Sequence, residues 1–341
     1  MKMHSLHCAC CGPVTEKVLW AEPVSEEAFA KRIASRLSNS LLVTFAQKAE
    51  EDGGENGGDE FLDEELALAA LLALLLFTRG QAAKTKLFDL FDTENASTAL
   101  MDDALIEFEK AMKAPLSNVE KNDFKAIIGR LMNTGAAQVQ GGLTGTNISN
   151  TAGVGTIMDG YPTVGTSAAF LYLRLEEAIL NFTERFISPG VRSGIENVLA
   201  NTNPTAPHSY TDLKFLVDSR LQGTAYWDVV ANATASRSYH YGLLKAANIQ
   251  NFRTYAFVAV IDNVTTPICR ALNGRTFRVQ TALDLMEDAF ASEDLDTYKD
   301  IMPWFTSAEG IEEADEETLA SAGIMIPPLH ARCRSTIRLI A

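Results

Sequence analysis

The feature that most restricts the fold is an apolar segment in the first half of the chain, Leu66 to Phe77, which contains only Leu, Ala and Phe. This segment is too short for a membrane span, which needs about 20 apolar residues, and we expect no membrane partner. A helix that is apolar on every side is usually fully buried. We therefore predict that this helix lies in the core of the chain or against another subunit.

Helical spacing and capping signals dominate the rest of the first half. Apolar residues recur at helical spacing over 29–45, and a further helix is predicted at 97–113. Ser117 and Glu120 have the spacing of a capping box, which predicts a helix that ends near Met132.

The composition changes sharply at 134–165, where Gly, Asn, Thr and Ser are frequent and charges are rare. We predict a long loop or interdomain linker there. A chain of 341 residues with 47% apolar side chains is long enough for two domains. We therefore predict a helical N-terminal domain at 1–133 and a second domain at 166–341, with an acidic insert at 283–319.

The second half combines helices with one clear strand. A helix is predicted at 167–187, stopped by Ser188-Pro-Gly190, and another at 225–247. Thr254 to Ile261 is apolar on both faces and rich in β-branched and aromatic residues, so it should be the central strand of a small sheet. Its expected antiparallel neighbours are 276–279 and 335–340. The predicted fold class is α+β, mostly helical, with a small antiparallel sheet in the C-terminal module.

Charge is distributed unevenly along the chain. The 44 acidic and 29 basic residues give a net charge of −15, so the average surface repels nucleic acid and anionic membranes. The insert at 283–319 contains thirteen acidic residues and one lysine, which predicts either a solvated helical excursion or a docking surface for a basic partner. Basic residues elsewhere could form a local positive face on double-stranded DNA. The candidate phosphate contacts are Arg237, Lys245, Arg275, Arg278 and Arg338.

The N-terminus is dense in soft metal ligands. His4, His7, Cys8 and Cys11 could form a small metal clip, and a flexible reduced terminus is the alternative. The first residues lack the continuous apolar core of a secretory signal, and five cysteines do not suggest a disulfide framework. We therefore expect a cytoplasmic protein.

Two short motifs bracket the acidic insert and adjoin predicted strands, so the fold should bring them together. They consist of Asp262, Thr265, Cys269 and Gly274 upstream, and of Pro327, His330, Cys333 and Arg334 downstream. The spacing of Cys269, His330 and Cys333 can place three soft side chains at one point. We refer to the eight motif residues as the clasp.

The order of these motifs, after a helix with Arg237 and Tyr241 and a strand that leads to Asp262, resembles the phage Mu protein F-like head morphogenesis family. The resemblance covers about Ala225 to the C-terminus. It implies a structural minor head protein of a tailed phage or prophage, located at the portal vertex or capsid interior of the virion and made in the host cytoplasm. The implied partners are the portal protein and the major capsid protein, with a role in DNA packaging or ejection.

The resemblance leaves the presence of a metal open. Many relatives carry further cysteines at the positions of Thr266 and Ser335, whereas structural zinc takes four ligands. The candidate zinc ligands in this chain are Cys269, His330, Cys333 and Asp262. A hydrogen-bonded staple, in which Asp262 accepts from Arg334, explains the same residues without a cofactor.

Two other functions compete with the structural one. A DNA-contacting protein ejected with the genome would use the local positive face. An enzyme could use Cys269 as nucleophile, His330 as base and Asp262 to orient the base. Because the sequence has no oxyanion-hole motif or second base, we expect no enzyme.

Overall fold

The computed structural model describes residues 7–8, 12–13, 62–91, 98–144, 175–181, 183–193, 224–292, 294–305, 307–331 and 333–340. The predicted helix at 29–45 lies outside them, as does the part of the predicted linker beyond residue 144.

The described elements are two short strands, eight α-helices, a π-helical turn and three further strands. They are, in chain order, β1 (His7–Cys8), β2 (Gly12–Pro13), α1 (Leu62–Phe91), α2 (Thr98–Met112), α3 (Asn118–Thr144), the π turn Thr183–Ile187 between helical residues 175–181 and 188–193, α4 (Thr224–Ile249), β3 (Thr254–Val258), α5 (Pro267–Leu272), β4 (Thr276–Arg278), α6 (Val279–Ala291), α7 (Leu295–Ile301), α8 (Glu316–Ser321) and β5 (Thr336–Ile340).

The C-terminal strands form a three-stranded antiparallel sheet in the order β4-β3-β5, which confirms the predicted central strand and the α+β fold class. The strand β3 is shorter than predicted, since it ends at Val258. Its pairing stops because the N–H of Ala259 donates to Asn273 Oδ1 at 3.0 Å instead of to a neighbouring strand.

The side chains of the apolar segment that the structure describes lie in or against the chain's own core. The segment forms part of α1, where Leu68 and Leu72 are fully buried and Leu75 is 6% exposed. Among the residues given above, no helix is long and apolar enough to span a membrane.

The helix α3 starts as predicted but ends later. The N–H of Ser117 donates to Glu120 Oε2 at 2.6 Å and the N–H of Glu120 donates to Ser117 Oγ at 3.3 Å, which completes the capping box. The predicted loop is wrong over 134–144, because α3 continues to Thr144. Packing against α4 compensates for the low helix propensity of Gly135.

The predicted helix stop at Ser188-Pro-Gly190 is also wrong, because helical structure continues to residue 193. The π turn at Thr183–Ile187 precedes Pro189. A π turn is wider than an α turn, which relieves the clash that a proline ring makes with the carbonyl four residues earlier.

The helix α4 is central among the described elements. It packs against α1 and α3 on one side and against α6 and β5 on the other. One cluster of buried apolar residues consequently extends from α1 to β5, across both predicted domains. The helix α4 also has five buried polar residues, namely Asn232, Ser236, Arg237, Ser238 and His240.

The acidic insert is not a purely solvated excursion. Its first helix, α6, starts at Val279 and buries Leu283, Met286 and Phe290. The ring of Phe290 packs edge-on against Tyr241 of α4 with a centroid distance of 5.3 Å. The acidic side chains of the insert, such as Asp288, lie on the exposed face.

Candidate functional site: the clasp and its metal ligands

The pairing of β3 with β5 brings the two motifs together. Val258 at the end of β3 lies opposite Thr336 at the start of β5. Residues that follow β3 therefore lie close to residues that precede β5. The upstream motif then enters α5, which starts with Pro267 at its first position and Thr266 as its N-cap residue.

The exposed half of the clasp is an ion pair on a tight turn. Arg334 Nη2 donates to both carboxylate oxygens of Asp262, at 2.9 and 2.7 Å. The N–H of Asp262 donates to Thr265 Oγ1 at 2.7 Å, and the N–H of Val264 donates to Asp262 Oδ1 at 3.0 Å. The hydrogen bond from Arg334 lowers the pKa of Asp262, and the contacts with Thr265 and Val264 act in the same direction. This half confirms the predicted hydrogen bond between Asp262 and Arg334.

The buried half of the clasp is a cluster of two thiols and an imidazole. Cys269 and Cys333 are each 3% exposed, and their sulfurs are 3.7 Å apart. Cys269 Sγ lies 3.2 Å from His330 Nε2, and the three ligand atoms all lie within 4.8 Å of one another. His330 Nδ1 lies 2.9 Å from the carbonyl oxygen of Ala331.

The two cysteines differ in acidity. The hydrogen bond between them and backbone hydrogen bonds lower the pKa of Cys333 to about 6. The same contact, together with burial, raises the pKa of Cys269 to about 12. Burial alone would lower the pKa of His330, but hydrogen bonds to Cys269 and to the Ala331 carbonyl outweigh it and raise the pKa. The contact between the two sulfurs therefore favours the proton on Cys269 and the thiolate form on Cys333.

Asp262 does not belong to this cluster, so its prediction as a metal ligand is wrong. Its carboxylate is occupied by Arg334 and by the turn at Thr265. The hydroxyl groups near the sulfurs and the imidazole belong instead to Thr266 and Ser335. Thr266 Oγ1 lies 2.9 Å from His330 Nε2, and the Ser335 side chain hydrogen-bonds both sulfurs.

The last two clasp residues shape the backbone. Gly274 has a φ of +83°, a conformation that favours glycine, and its N–H donates to the carbonyl of Phe257 at 2.8 Å. Pro327 is buried and forms a cis peptide bond with Pro328 just before His330. These two residues turn the chain on either side of the polar cluster.

Three of the five cations predicted to contact DNA phosphates have partners within the chain. Arg237 is 6% exposed and donates to Tyr298 Oη at 2.8 Å and to the Met302 carbonyl at 3.2 Å. Lys245 pairs with Glu287 at 2.7 Å.

The third of these cations is Arg275, which donates to three carbonyl groups of the insert, those of Ile311, Glu312 and Ala314. The remaining two predicted contacts, Arg278 and Arg338, are exposed.

The three residues predicted for acyl transfer come together only in part, since Cys269 contacts His330 but Asp262 does not orient it. The pKa of Cys269 is raised, which disfavours a nucleophilic thiolate at this position. The base His330 is oriented by the Ala331 carbonyl, and Asp262 bonds to Arg334 instead.

The N-terminal ligand cluster is described only at His7–Cys8. This segment forms β1 and pairs with Gly12–Pro13 in β2. His4 and Cys11 lie outside the described residues.

Two functional contacts were missed by the sequence predictions. Arg270 Nη2 donates to the carbonyl of Asp262 at 2.8 Å and supports the same turn. A basic residue directly after Cys269 was a usable signal for this contact. His240 Nε2 lies 3.4 Å from Thr336 Oγ1, a connection between α4 and β5 that no local pattern could indicate.

Comparison with known proteins gives no assignment. No protein-family model matches the chain, and no curated protein or solved structure gives a significant match. The resemblance to the Mu protein F-like family therefore rests on the two motifs and on the helix and strand that precede them.

Proposed function

We propose that this chain is a structural minor head protein of a tailed phage or prophage, which acts in head morphogenesis at the portal or capsid interior. Its partners would be the portal protein, the major capsid protein, or both. The supporting observation is that the two motifs behind the family resemblance meet as one clasp, through Arg334 on Asp262 and His330 on Cys269.

The clasp connects segments that are far apart in sequence. Its hydrogen bonds span 72 residues between Asp262 and Arg334 and 61 residues between Cys269 and His330. They fix the loop after β3 to the segment before β5, on the far side of the insert. Such connections make a module rigid, which suits a subunit that must hold a fixed geometry between larger partners.

The acidic insert is also anchored to the C-terminal module by hydrogen bonds. Arg275 donates hydrogen bonds to carbonyls of the turn before α8. Arg237 of α4 donates to Tyr298 of α7 and to the carbonyl of Met302, which follows α7. A fixed insert presents its acidic face in one orientation. A surface with a fixed orientation favours a role in assembly.

The alternative of a DNA-contacting protein receives less support. Of the five cations predicted to contact phosphates, only Arg278 and Arg338 are exposed. Fewer phosphate contacts mean weaker and less salt-dependent DNA binding. The exposure of these cations therefore favours the structural role over DNA binding.

Head particles provide the test of the structural role. Mature and immature heads would be purified from the bacterium that carries the gene, and analysed by quantitative mass spectrometry and chemical cross-linking. We expect the chain at low copy number with cross-links to the portal protein. Its absence from both kinds of head would overturn the proposal.

A pair of matched variants connects the clasp to incorporation. Arg334→Glu places two like charges at the ion pair, whereas Arg338→Glu changes an exposed arginine of β5 outside the clasp. We expect Arg334→Glu to reduce incorporation into heads and Arg338→Glu to leave it unchanged. Equal incorporation of both variants would contradict a role for the clasp in assembly.

A further inference from the structure

We propose that Cys269, His330 and Cys333 bind one zinc ion, with a water molecule as the fourth ligand beside the hydroxyls of Thr266 and Ser335. The ion would fix the segment before β5 to α5. This proposal is independent of the role in phage heads, because it rests only on contacts within the chain.

Two of the three pairs of ligand atoms have spacings close to those of a zinc site, and the third pair lies within 4.8 Å. Zn–S bonds of about 2.3 Å in a tetrahedral site place two sulfurs about 3.8 Å apart. The sulfurs of Cys269 and Cys333 are 3.7 Å apart. The nitrogen of His330 lies 3.2 Å from Cys269 Sγ, somewhat closer than the roughly 3.5 Å that a tetrahedral site needs, so a small movement of the imidazole would suffice.

The imidazole is oriented as in a metal site. His330 Nδ1 lies 2.9 Å from the carbonyl oxygen of Ala331, so a proton on Nδ1 leaves the lone pair of Nε2 directed at the cluster. Histidine ligands of metals commonly donate their other nitrogen to a backbone carbonyl in this way. The contact fixes both the tautomer and the ring orientation before any ion binds.

The donor set selects the class of metal. Two sulfurs and one imidazole suit zinc and other soft cations, whereas calcium and magnesium require oxygen ligands. The carboxylate nearest in sequence, that of Asp262, is held by Arg334 outside the cluster. Cysteines bind zinc as thiolates, so both Cys269 and Cys333 would give up their protons when the ion binds.

The fourth position is the distinctive part of this site. Thr266 and Ser335 are each 7% exposed and both contact the ligand residues. Their hydroxyls can hydrogen-bond a zinc-bound water but are weak ligands themselves. A cysteine at position 266 would instead supply a direct fourth ligand.

Metal content and cobalt spectroscopy of the full chain test the proposal. The reduced protein would be stripped with a chelator, dialysed, and titrated with zinc or cobalt(II) alone. We expect about one zinc per chain, and a cobalt complex with sulfur-to-metal charge-transfer bands and tetrahedral d–d absorption. Absence of bound zinc, or a cobalt spectrum without sulfur ligands, would overturn the proposal.

Variants locate the site. Cys333→Ser is expected to abolish the sulfur-cobalt bands, whereas Asp262→Asn is expected to retain them. Cys8→Ser combined with Cys11→Ser controls for binding at the N-terminus and should leave the stoichiometry unchanged. Zinc that persists in Cys333→Ser, or disappears in the N-terminal variant, would place the metal elsewhere and contradict the assignment.

Thr266→Cys keeps the test decisive if Cys333→Ser fails to fold. We expect this variant to bind zinc at least about tenfold more tightly, because a thiolate replaces the water ligand. The affinity would be measured by competition with a chelator of known zinc affinity. An unchanged affinity would overturn the placement of the fourth ligand beside Thr266.

Discussion

At the crossing of α3 and α4 two helix backbones touch directly, whereas in the clasp side chains connect the two motifs. A Cβ atom on Gly242 would lie 1.9 Å from the carbonyl oxygen of Met132, and one on Gly135 would lie 2.0 Å from that of Tyr239. The clasp instead uses polar contacts, such as the 2.7 Å bond from Arg334 to Asp262.

The two regions differ in how well they tolerate a substitution. Backbones in direct contact leave no room for an additional methyl group. The helices would have to separate along their length to accommodate one. A polar contact near the surface can lose one partner, since water replaces the missing hydrogen bond. We therefore expect the crossing to be more sensitive to single substitutions than the exposed half of the clasp.

The largest effect is expected at the helix crossing. Gly242→Ala places a Cβ atom inside the contact distance of the Met132 carbonyl, and we expect unfolding to become easier by about 3 kcal/mol. The measurement is chemical denaturation followed by circular dichroism.

A second glycine in α3 provides the control for this substitution. A Cβ atom on Gly129 would meet nothing within 4 Å. Gly129→Ala should therefore stabilise the protein by up to about 1 kcal/mol through helix propensity. If the two variants had equal stability, the backbones would not be in contact at the crossing.

A smaller, pH-dependent effect is expected where the two regions meet. His240 of α4 is fully buried, lies 3.4 Å from Thr336 of β5, and has its pKa lowered to about 4 by burial. The unfolded chain takes up a proton on this residue below its ordinary pKa of 6.5, whereas the folded protein does not until about pH 4. The folded state therefore loses stability as the pH falls from 6.5 to 4.

The loss from His240 alone is about 2 kcal/mol at a pH of about 5. His240→Gln removes the titrating group, so its stability should change less between pH about 7 and about 5 than that of the unsubstituted protein. Urea denaturation at both pH values measures the difference. Parallel pH dependences for the two proteins would show that His240 is accessible to protons in the folded state.

The two regions also differ in how well the sequence predicts them. The clasp was predictable because β-branched and aromatic residues mark β3, and both motifs adjoin strands that pair. The burial of Leu68 and Leu72 followed from an apolar run with no polar face.

The helix crossing was not predictable from local patterns. Gly135 resembles a loop residue in its own segment, and only contact with α4 explains why α3 continues through it. Arg237 was predicted as a surface cation because its partners, Tyr298 and the Met302 carbonyl, belong to an insert that was predicted to be solvated. In both cases the structure depends on a contact with residues that are distant in sequence, which local helix propensity does not describe.

The smallest effect is expected at the exposed half of the clasp. Arg334→Ala removes one partner of an ion pair in which the arginine side chain is 45% and the Asp262 side chain 34% exposed. Solvent screens such pairs, so we expect a loss of stability smaller than that of Gly242→Ala, which decreases further at high salt. Because the pKa of Asp262 is lowered, this contribution is present above the ordinary value of 3.8 and is lost as the pH falls through the lowered pKa.

A double-mutant cycle with Asp262→Ala isolates the pair, and Arg338→Ala serves as the control because Arg338 is an exposed arginine outside the clasp. A coupling energy near zero would mean that the turn formed by Thr265 holds this half without the ion pair. A coupling energy as large as the effect of Gly242→Ala would exceed what an exposed pair contributes. It would mean that a clasp made of side chains limits stability as strongly as the backbone crossing does, which would remove the distinction between the two regions.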